Sequence, residues 1–272
     1  MMAAVAAGGL LKGEDNPVII VNAQGRSPIV LACEHAGRRI PKSLGSLGLR
    51  AEDLSRHIAY DIGAEGVARQ LAEMLDAPLV LQRYSRLVYD CNRPPDSPSA
   101  MPVISELTSI PGNQGLTAAE RQERTRVIYR AFHDQAAAMI EARTSVDKVA
   151  IFVTIHSFTP VFKGVARKMH VGLLFDKDRR FTDLVAPLMR KSGPFDVRLN
   201  EPYGPEDGVC HTVNLQAGAK GLPYSMIEIR NDLIESESGE VEWAGRLGGV
   251  LQQAAALLMR SSTEKGARPA IA

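Results

Sequence analysis

The chain has 272 residues, 45% hydrophobic and 23% charged, enough apolar material for a sizeable core in one large domain or two small ones. Lys and Arg number 32 against 31 Asp and Glu, a net charge of +1, which excludes an electrostatic footprint for nucleic acid or an anionic membrane. Cys33, Cys91 and Cys210, with no Cys-x-x-Cys, exclude a disulfide framework and read as small buried hydrophobes in a reducing compartment.

Residues 1–16 read as a flexible tail. Met1 to Leu11 is apolar but lacks a basic start, so it is not read as a signal peptide. No run approaches the ~18 apolar residues of a membrane span, and a cytoplasmic location is expected. Pro17–Asn22 predicts a first strand, and Asn22–Ser27 is turn chemistry. Pro28–Cys33 is a continuous apolar run, the mark of a fully buried strand, and it discharges into Glu34-His35-Ala36-Gly37.

Residues 43–57 predict a loop and then a helical turn. Asp61-Ile62-Gly63-Ala64 opens an amphipathic helix through Val67, Leu71, Met74 and Leu75, stopped at Asp76. Pro78–Leu81 predicts a strand. Leu87-Val88-Tyr89 predicts another, running into Asp90, Asn92 and Arg93 before Pro94. Residues 94–116, rich in proline, predict a long functional or mobile loop.

Thr117 and Glu120 form a capping box, starting a helix to about Ala142. Lys148–Ile155 is the strongest strand and ends at His156. His170–Phe175 predicts a strand, 181–191 a helix capped by Thr182, and Phe195–Leu199 a strand. The Gly/Pro-rich loop Asn200–Gly208 reads as a surface loop or a cover over a site. Ser225–Ile229 is a strand carrying Glu228. Glu242–Met259 predicts a long helix, and 261–272 a flexible tail. Alternating strands and helices over 17–260 predict a single three-layer α/β/α domain with a mixed, mostly parallel sheet.

Polar groups therefore collect at four strand ends: Glu34-His35, Asp90-Asn92-Arg93, His156 and Glu228. In open α/β sheets ligands bind at such ends. Two imidazoles there suit zinc, whose catalytic sites take three protein ligands and keep one position open. Taken singly, a histidine after a strand is more often a capped or surface residue. Arg93 is a natural clamp for a substrate carboxylate, since its planar fork meets two oxygens at once. His57, His133 and His170 are read as structural. The absence of a Gly-x-Gly-x-x-Gly or phosphate loop argues against nucleotide binding.

The motifs Glu34-His35-Ala36-Gly37, Asp61 in Ala-Tyr-Asp-Ile-Gly-Ala, Ser85-Arg86 through Asp90-Cys91-Asn92-Arg93-Pro94, Thr154-Ile155-His156-Ser157 and Ile227-Glu228-Ile229-Arg230 resemble the N-formylglutamate amidohydrolase family, related to the zinc carboxypeptidases and aspartoacylases. The resemblance spans residues 28 to 234. It implies a zinc-carboxypeptidase-like, phosphorylase/hydrolase-type fold and one zinc or other divalent metal per chain. The implied activity is hydrolysis of N-formyl-L-glutamate to formate and glutamate. It implies His35 and His156 as metal ligands and Glu228 as the general base acting on zinc-bound water. Arg86, or Arg83, would polarise the scissile carbonyl, and Asn92 and Arg93, with Arg83 and Arg230, would hold the substrate.

The chain departs from the carboxypeptidases at Arg38, where those enzymes place a glutamate ligand. The third ligand is then Asp61, with Glu34 as second choice. Asp61 equally fits an N-cap of the helix beginning at Gly63, and the alternative for Glu34 is a partner that orients an imidazole. Two other readings stay open: a deacylase or carboxypeptidase-like hydrolase for another small substrate, and a weakly catalytic relative that binds small carboxylates. The expected partner is a small acyl amino acid, with no nucleic acid and no membrane.

Overall fold

The computed structural model describes residues 9–144 and 149–266. The first strands in chain order are β1 (Val18–Val21), β2 (Ile29–Cys33) and β3 (Leu79–Gln82). A hairpin of β4 (Ile104–Ser105) and β5 (Thr108–Ser109) follows, then β6 (Ile151–Phe158) and a second hairpin of β7 (Val161–Phe162) and β8 (Val165–Ala166). The last strands are β9 (Val171–Leu174), β10 (Val197–Leu199) and β11 (Tyr224–Arg230). Helices are α1 (Ala64–Met74), α2 (Ala118–Arg124), α3 (Ala131–Thr144), α4 (Thr182–Lys191), α5 (His211–Gln216) and α6 (Glu237–Gly266).

The main sheet has seven strands in the order β1-β3-β2-β6-β11-β9-β10. Strands β3, β2, β6 and β11 run parallel, β1 and β9 join antiparallel, and β10 runs parallel to β9. The central strands are apolar on both faces because helices cover both. Ile151, Val153 and Ile155 of β6 face α1, α4 and α6, while Phe152 packs in the opposite layer with Val127, Ile128 and Phe132. The result is the three-layer, mostly parallel α/β sandwich that the alternation of elements predicts.

Helix α1 buries Ala64, Val67, Ala68, Leu71 and Ala72, one stripe at helical spacing. Its N-cap position is Gly63 with φ +76°, and a Cβ there would overlap the carbonyl oxygen of Ile234. Glycine is required by both conformation and contact. Asp76 follows the helix at φ +50° and accepts bonds from Asn22 and Arg26. The capping box forms as expected: the Thr117 N–H donates to Glu120 at 2.8 Å, and the Glu120 N–H to the Thr117 hydroxyl at 3.2 Å. A π-helical segment, Thr125–Arg130, joins α2 to α3.

Several expectations are corrected. Leu87–Tyr89 is a turn and the coil after it, not a strand. The Ser85 hydroxyl donates to the Ala59 carbonyl at 2.6 Å and accepts the Leu87 N–H at 3.1 Å, giving the backbone local partners in place of a ladder. The apolar run is buried under the helices instead. Thr182 does not cap α4; its hydroxyl donates to Ser225 at 2.9 Å and ties the helix to β11. Helix α6 continues through Ser261 to Gly266, where a flexible tail was expected. Within the expected N-terminal tail, Leu11 is buried and the Asn16 carbonyl accepts from Arg83 at 2.7 Å. Residues 1–8 and 267–272 of the expected tails, and Lys148 at the start of the expected strand, lie outside the described residues.

The loop 94–116 is pinned by a buried cation. Arg124 donates to Asn113 at 2.6 Å, to the Val88 carbonyl at 3.2 Å and to the Gly112 carbonyl at 3.3 Å. Asn113 in turn donates to the carbonyls of Leu87 and Pro102, both at 2.8 Å. Truncation at Arg124 leaves several buried acceptors without a donor. Arg124→Ala is expected to lower unfolding stability by about 3 kcal/mol, read from the shift in urea midpoint. An unchanged midpoint would mean the loop is held by other contacts.

Candidate functional site

Strand register builds the site before any side chain is considered. His156 of β6 lies opposite Glu228 of β11. On its other side β6 pairs with β2 as far as Thr154 and Ala32, so two residues further on Glu34 comes beside His156. Three adjacent parallel strands thus carry Glu34, His156 and Glu228 across one rim. His35 follows Glu34, and Asp61 reaches in from the segment before α1, where its N–H donates to the His35 carbonyl at 2.9 Å.

His35, Asp61 and His156 are buried and converge, their ligand atoms all within 4.8 Å of one another. Nδ1 of His35 lies 3.3 Å from Asp61 Oδ2, and Nδ1 of His156 lies 3.0 Å from the same oxygen. The far nitrogen of each ring is backed by another carboxylate. His35 Nε2 lies 2.7 Å from Asp90 Oδ1, and His156 Nε2 lies 3.1 Å from Glu34 Oε2. The outer nitrogen of His35 is thus hydrogen-bonded to an acid, as metal-binding imidazoles are held, while His156 Nε2 and Glu34 lie at ion-pair distance with no hydrogen bond between them. Two nitrogens and one oxygen, all buried and facing one point, fit zinc or a similar divalent ion.

Electrostatics points the same way. Burial alone would raise the Asp61 carboxyl, but the His35 and His156 imidazoles hold it far below the usual carboxylate range. Asp90 is likewise held down against burial, by His35 and Arg86. Burial opposes charge on His156, yet Glu34 and Asp61 push its pKa up. His35 is also raised, by Asp90 and Asp61, against burial and Arg86. The cluster is built to hold positive charge between the rings, and protons and a cation compete for it.

Glu228 behaves differently. Burial pushes its carboxyl up to about 7, His156 partly offsetting the rise and Asp61 adding to it. Its Oε2 is buried with no hydrogen-bond partner among the described residues. A carboxyl with that pKa and a vacant oxygen can take and return a proton near neutral pH.

These groups open on a cavity of about 450 Å³, lined also by His57, Arg86, Asn92, Arg93, Phe162, Arg167 and Tyr203. Arg86 donates to Asp61 at 3.3 Å and to Asp90 at 2.8 Å, and its side chain is 27% exposed. Asn92 spends its amide on the protein: it donates to the Val209 carbonyl at 2.6 Å and accepts the Thr212 N–H at 3.0 Å. Arg93 donates to the carbonyls of Asn92 and Gly208 at 2.8 and 3.2 Å. Ser157 supports the cluster through its N–H, 3.2 Å from Asp61, and its hydroxyl, which donates to the Ile62 carbonyl at 2.8 Å.

Two candidates are not brought to this cavity. Arg83 bonds the Asn16 carbonyl and lines a separate cavity of about 720 Å³ on the α1 side. Arg38 lines that cavity too, over the Tyr60 ring at 5.4 Å from its centroid, so it does not intrude on the three converging groups. Arg230 bonds Asp232 at 2.8 Å and the Lys168 carbonyl at 3.0 Å. Conversely, Arg167 and His57 line the site without any sequence signal. The ties of Asp90 to His35 and Arg86 had only a faint one, the Asp-x-Asn-Arg run.

A parallel-sheet rim that gathers two imidazoles, a shared carboxylate, an unpaired acid and arginines in one cavity is the equipment of a hydrolase. The family model of N-formylglutamate amidohydrolases matches residues 27–235. A gene product of Agrobacterium tumefaciens is 47% identical, with a TM-score of 0.87, over 91% of this chain and 98% of that one. An N-formylglutamate amidohydrolase from Ralstonia eutropha has the same fold at 19% identity, with a TM-score of 0.66, over 91% of this chain and 100% of that one. No curated protein matches the chain significantly. The chain belongs to the N-formylglutamate amidohydrolase family, and with it to the hydrolases that act on amides. Among the described residues no helix is long and apolar enough to cross a membrane.

Proposed function

We propose that the protein is a metal-dependent amidohydrolase that deacylates an N-acyl amino acid, foremost N-formyl-L-glutamate, to formate and L-glutamate. The observation that carries this reading is the buried meeting of His35, Asp61 and His156 beside Glu228, whose Oε2 is buried and unpaired among the described residues. His35, Asp61 and His156 would hold the ion, and Glu34 and Asp90 would orient the two rings. A bound zinc ion would supply Lewis acidity and bring the pKa of water down to ~7.

The chain's own residues do the rest. Arg93 takes the substrate carboxylate and so fixes the amide relative to Glu228. Asn92 keeps Arg93 in place by stapling its loop to the start of α5. Arg86, anchored on Asp61 and Asp90, presents positive charge toward the scissile carbonyl. Glu228 removes a proton from the attacking water. The new C–O bond forms, the C–N bond breaks, and Glu228 returns the proton to the departing amine. Three unpaired, buried cysteines favour a reducing, cytoplasmic setting.

Purified protein is expected to carry about one zinc per chain. It should hydrolyse N-formyl-L-glutamate faster than other N-acyl amino acids, lose activity to a chelator and regain it with zinc. No stoichiometric metal, and no hydrolysis of any N-formyl amino acid with added divalent ions, would end this reading. The cavity volume of about 450 Å³ favours one second reading, a deacylase for a larger acyl group. A faster rate with acetyl or succinyl substrates in the same panel would establish it.

A further inference from the structure

The second cavity, of about 720 Å³ on the α1 side, takes no part in the chemistry just described. Asp61 lines both cavities, so the segment Tyr60–Gly63 stands between them. One wall of the second cavity is built at the ends of β2 and β3. There Gly37–Arg39 runs beside Gln82–Ser85: the Gly37 N–H donates to the Gln82 carbonyl at 2.9 Å, and the Ser85 N–H to the Arg39 carbonyl at 2.8 Å. Gly37 is required for this approach, since a Cβ on it would overlap the Arg83 carbonyl. Two short segments thereby bring Arg38, Arg39 and Arg83 to one wall.

The helical wall carries the opposite charge. Glu65 and Arg69 come from α1, Glu235 from the segment before α6, and Glu240 from its first turn. Gly66 lets α6 close on α1, because a Cβ there would overlap the Glu240 carboxylate. Neither wall is neutralised locally. Arg39 and Arg83 share one acid, Asp15, at 2.8 and 3.8 Å. Arg38 lies over the Tyr60 ring and meets no carboxylate among the described residues. Three arginines against Asp15 leave the strand side with a surplus of two positive charges. On the helical side Arg69 pairs with Glu65 at 2.7 Å, while Glu235 and Glu240 meet no cation among the described residues. Burial and the neighbouring Glu237 and Glu65 push the Glu240 carboxyl up, which is the mark of an acid short of positive charge. A purely anionic or purely cationic ligand would satisfy one wall and be repelled by the other.

We propose that this cavity is a binding site for a short free peptide, a zwitterion with its charges far apart. The peptide's terminal carboxylate meets Arg38, beside Arg39 and Arg83, and its ammonium group meets Glu240 and Glu235. Capture of a chain terminus by opposite charge is a general mode of peptide recognition. A cavity of about 720 Å³ is roughly 9 Å across, the reach of an extended peptide of about three residues at ~3.3 Å each. A single amino acid carries both charges on one carbon and cannot reach both walls.

The test is direct binding to the full chain near neutral pH, with triglycine as the probe, followed by calorimetry. Wild type is expected to bind triglycine saturably, one molecule per chain. N-acetyl-triglycine, which lacks the ammonium group, and triglycinamide, which lacks the carboxylate, should each bind about 5-fold more weakly, as should glycine. Arg38→Gln should weaken triglycine by a similar factor and leave triglycinamide unchanged. Glu240→Gln should weaken triglycine and leave N-acetyl-triglycine unchanged. Arg93→Gln should leave triglycine binding as it is, since Arg93 lines the catalytic cavity. No saturable binding, capped peptides or glycine that bind as tightly as triglycine, or a loss seen in Arg93→Gln and not in Arg38→Gln would overturn the proposal. Should one of the two cavity variants fail to fold, the other variant and the capped peptides decide the matter.

Discussion

Glu228→Gln is expected to lower kcat by about 10³-fold while leaving KM, metal content and folding near wild type. Glutamine has the shape of glutamate but cannot carry a proton between water and a leaving amine. The substitution should be well tolerated by the fold. Glu228 sits in the buried strand β11, where burial already opposes its charge and pushes the carboxyl to about 7. Its Oε2 has no hydrogen-bond partner to lose among the described residues. Metal content should hold because Glu228 is not one of the three groups that converge. Steady-state kinetics, metal analysis and a thermal melt on one preparation separate these effects. A kcat within tenfold of wild type would remove Glu228 from the proton-transfer role, and lost metal would move it into the metal site.

The parts legible in the sequence were those written as uninterrupted apolar runs. Ile29–Cys33 and Ile151–Ile155 must be buried on both faces, and such strands can only sit centrally in a covered sheet. Their rims, Glu34-His35 and His156, follow by continuity of the chain. Other features depend on partners far away in sequence. Leu87–Tyr89 has the composition of a strand, yet composition encodes burial and not ladder pairing, and the Ser85 hydroxyl directs the backbone into a turn. The sequence left Asp61 between a helix cap and a ligand. In the structure Gly63 occupies the N-cap position and the Asp61 carboxylate faces both imidazoles. Arg167 was invisible because nothing local distinguishes it from a surface arginine. Only the fold brings Phe158, Phe162 and Tyr203 around it.

Asp61→Asn and Asp90→Asn are expected to differ sharply, and the difference reports which carboxylate meets the metal. Asp61 Oδ2 is the atom both Nδ1 nitrogens face, whereas Asp90 meets just one of the two rings, at the outer nitrogen of His35. Removing a ligand charge should bring bound zinc from about one per chain to a small fraction and abolish hydrolysis. Removing a backing acid should weaken metal affinity by about 10–100-fold, so that excess zinc restores activity. Each substitution also withdraws a carboxylate from Arg86 inside a buried cluster. Both variants should therefore lose about 3 kcal/mol of stability. Equal destabilisation with unequal metal loss is the signature of one ligand and one support. If Asp90→Asn lost zinc irretrievably while Asp61→Asn could be restored by excess zinc, His35 would bind through Nε2 with Asp90 as its partner. The metal would then lie on the opposite side of the His35 ring from the point where His35, Asp61 and His156 now meet.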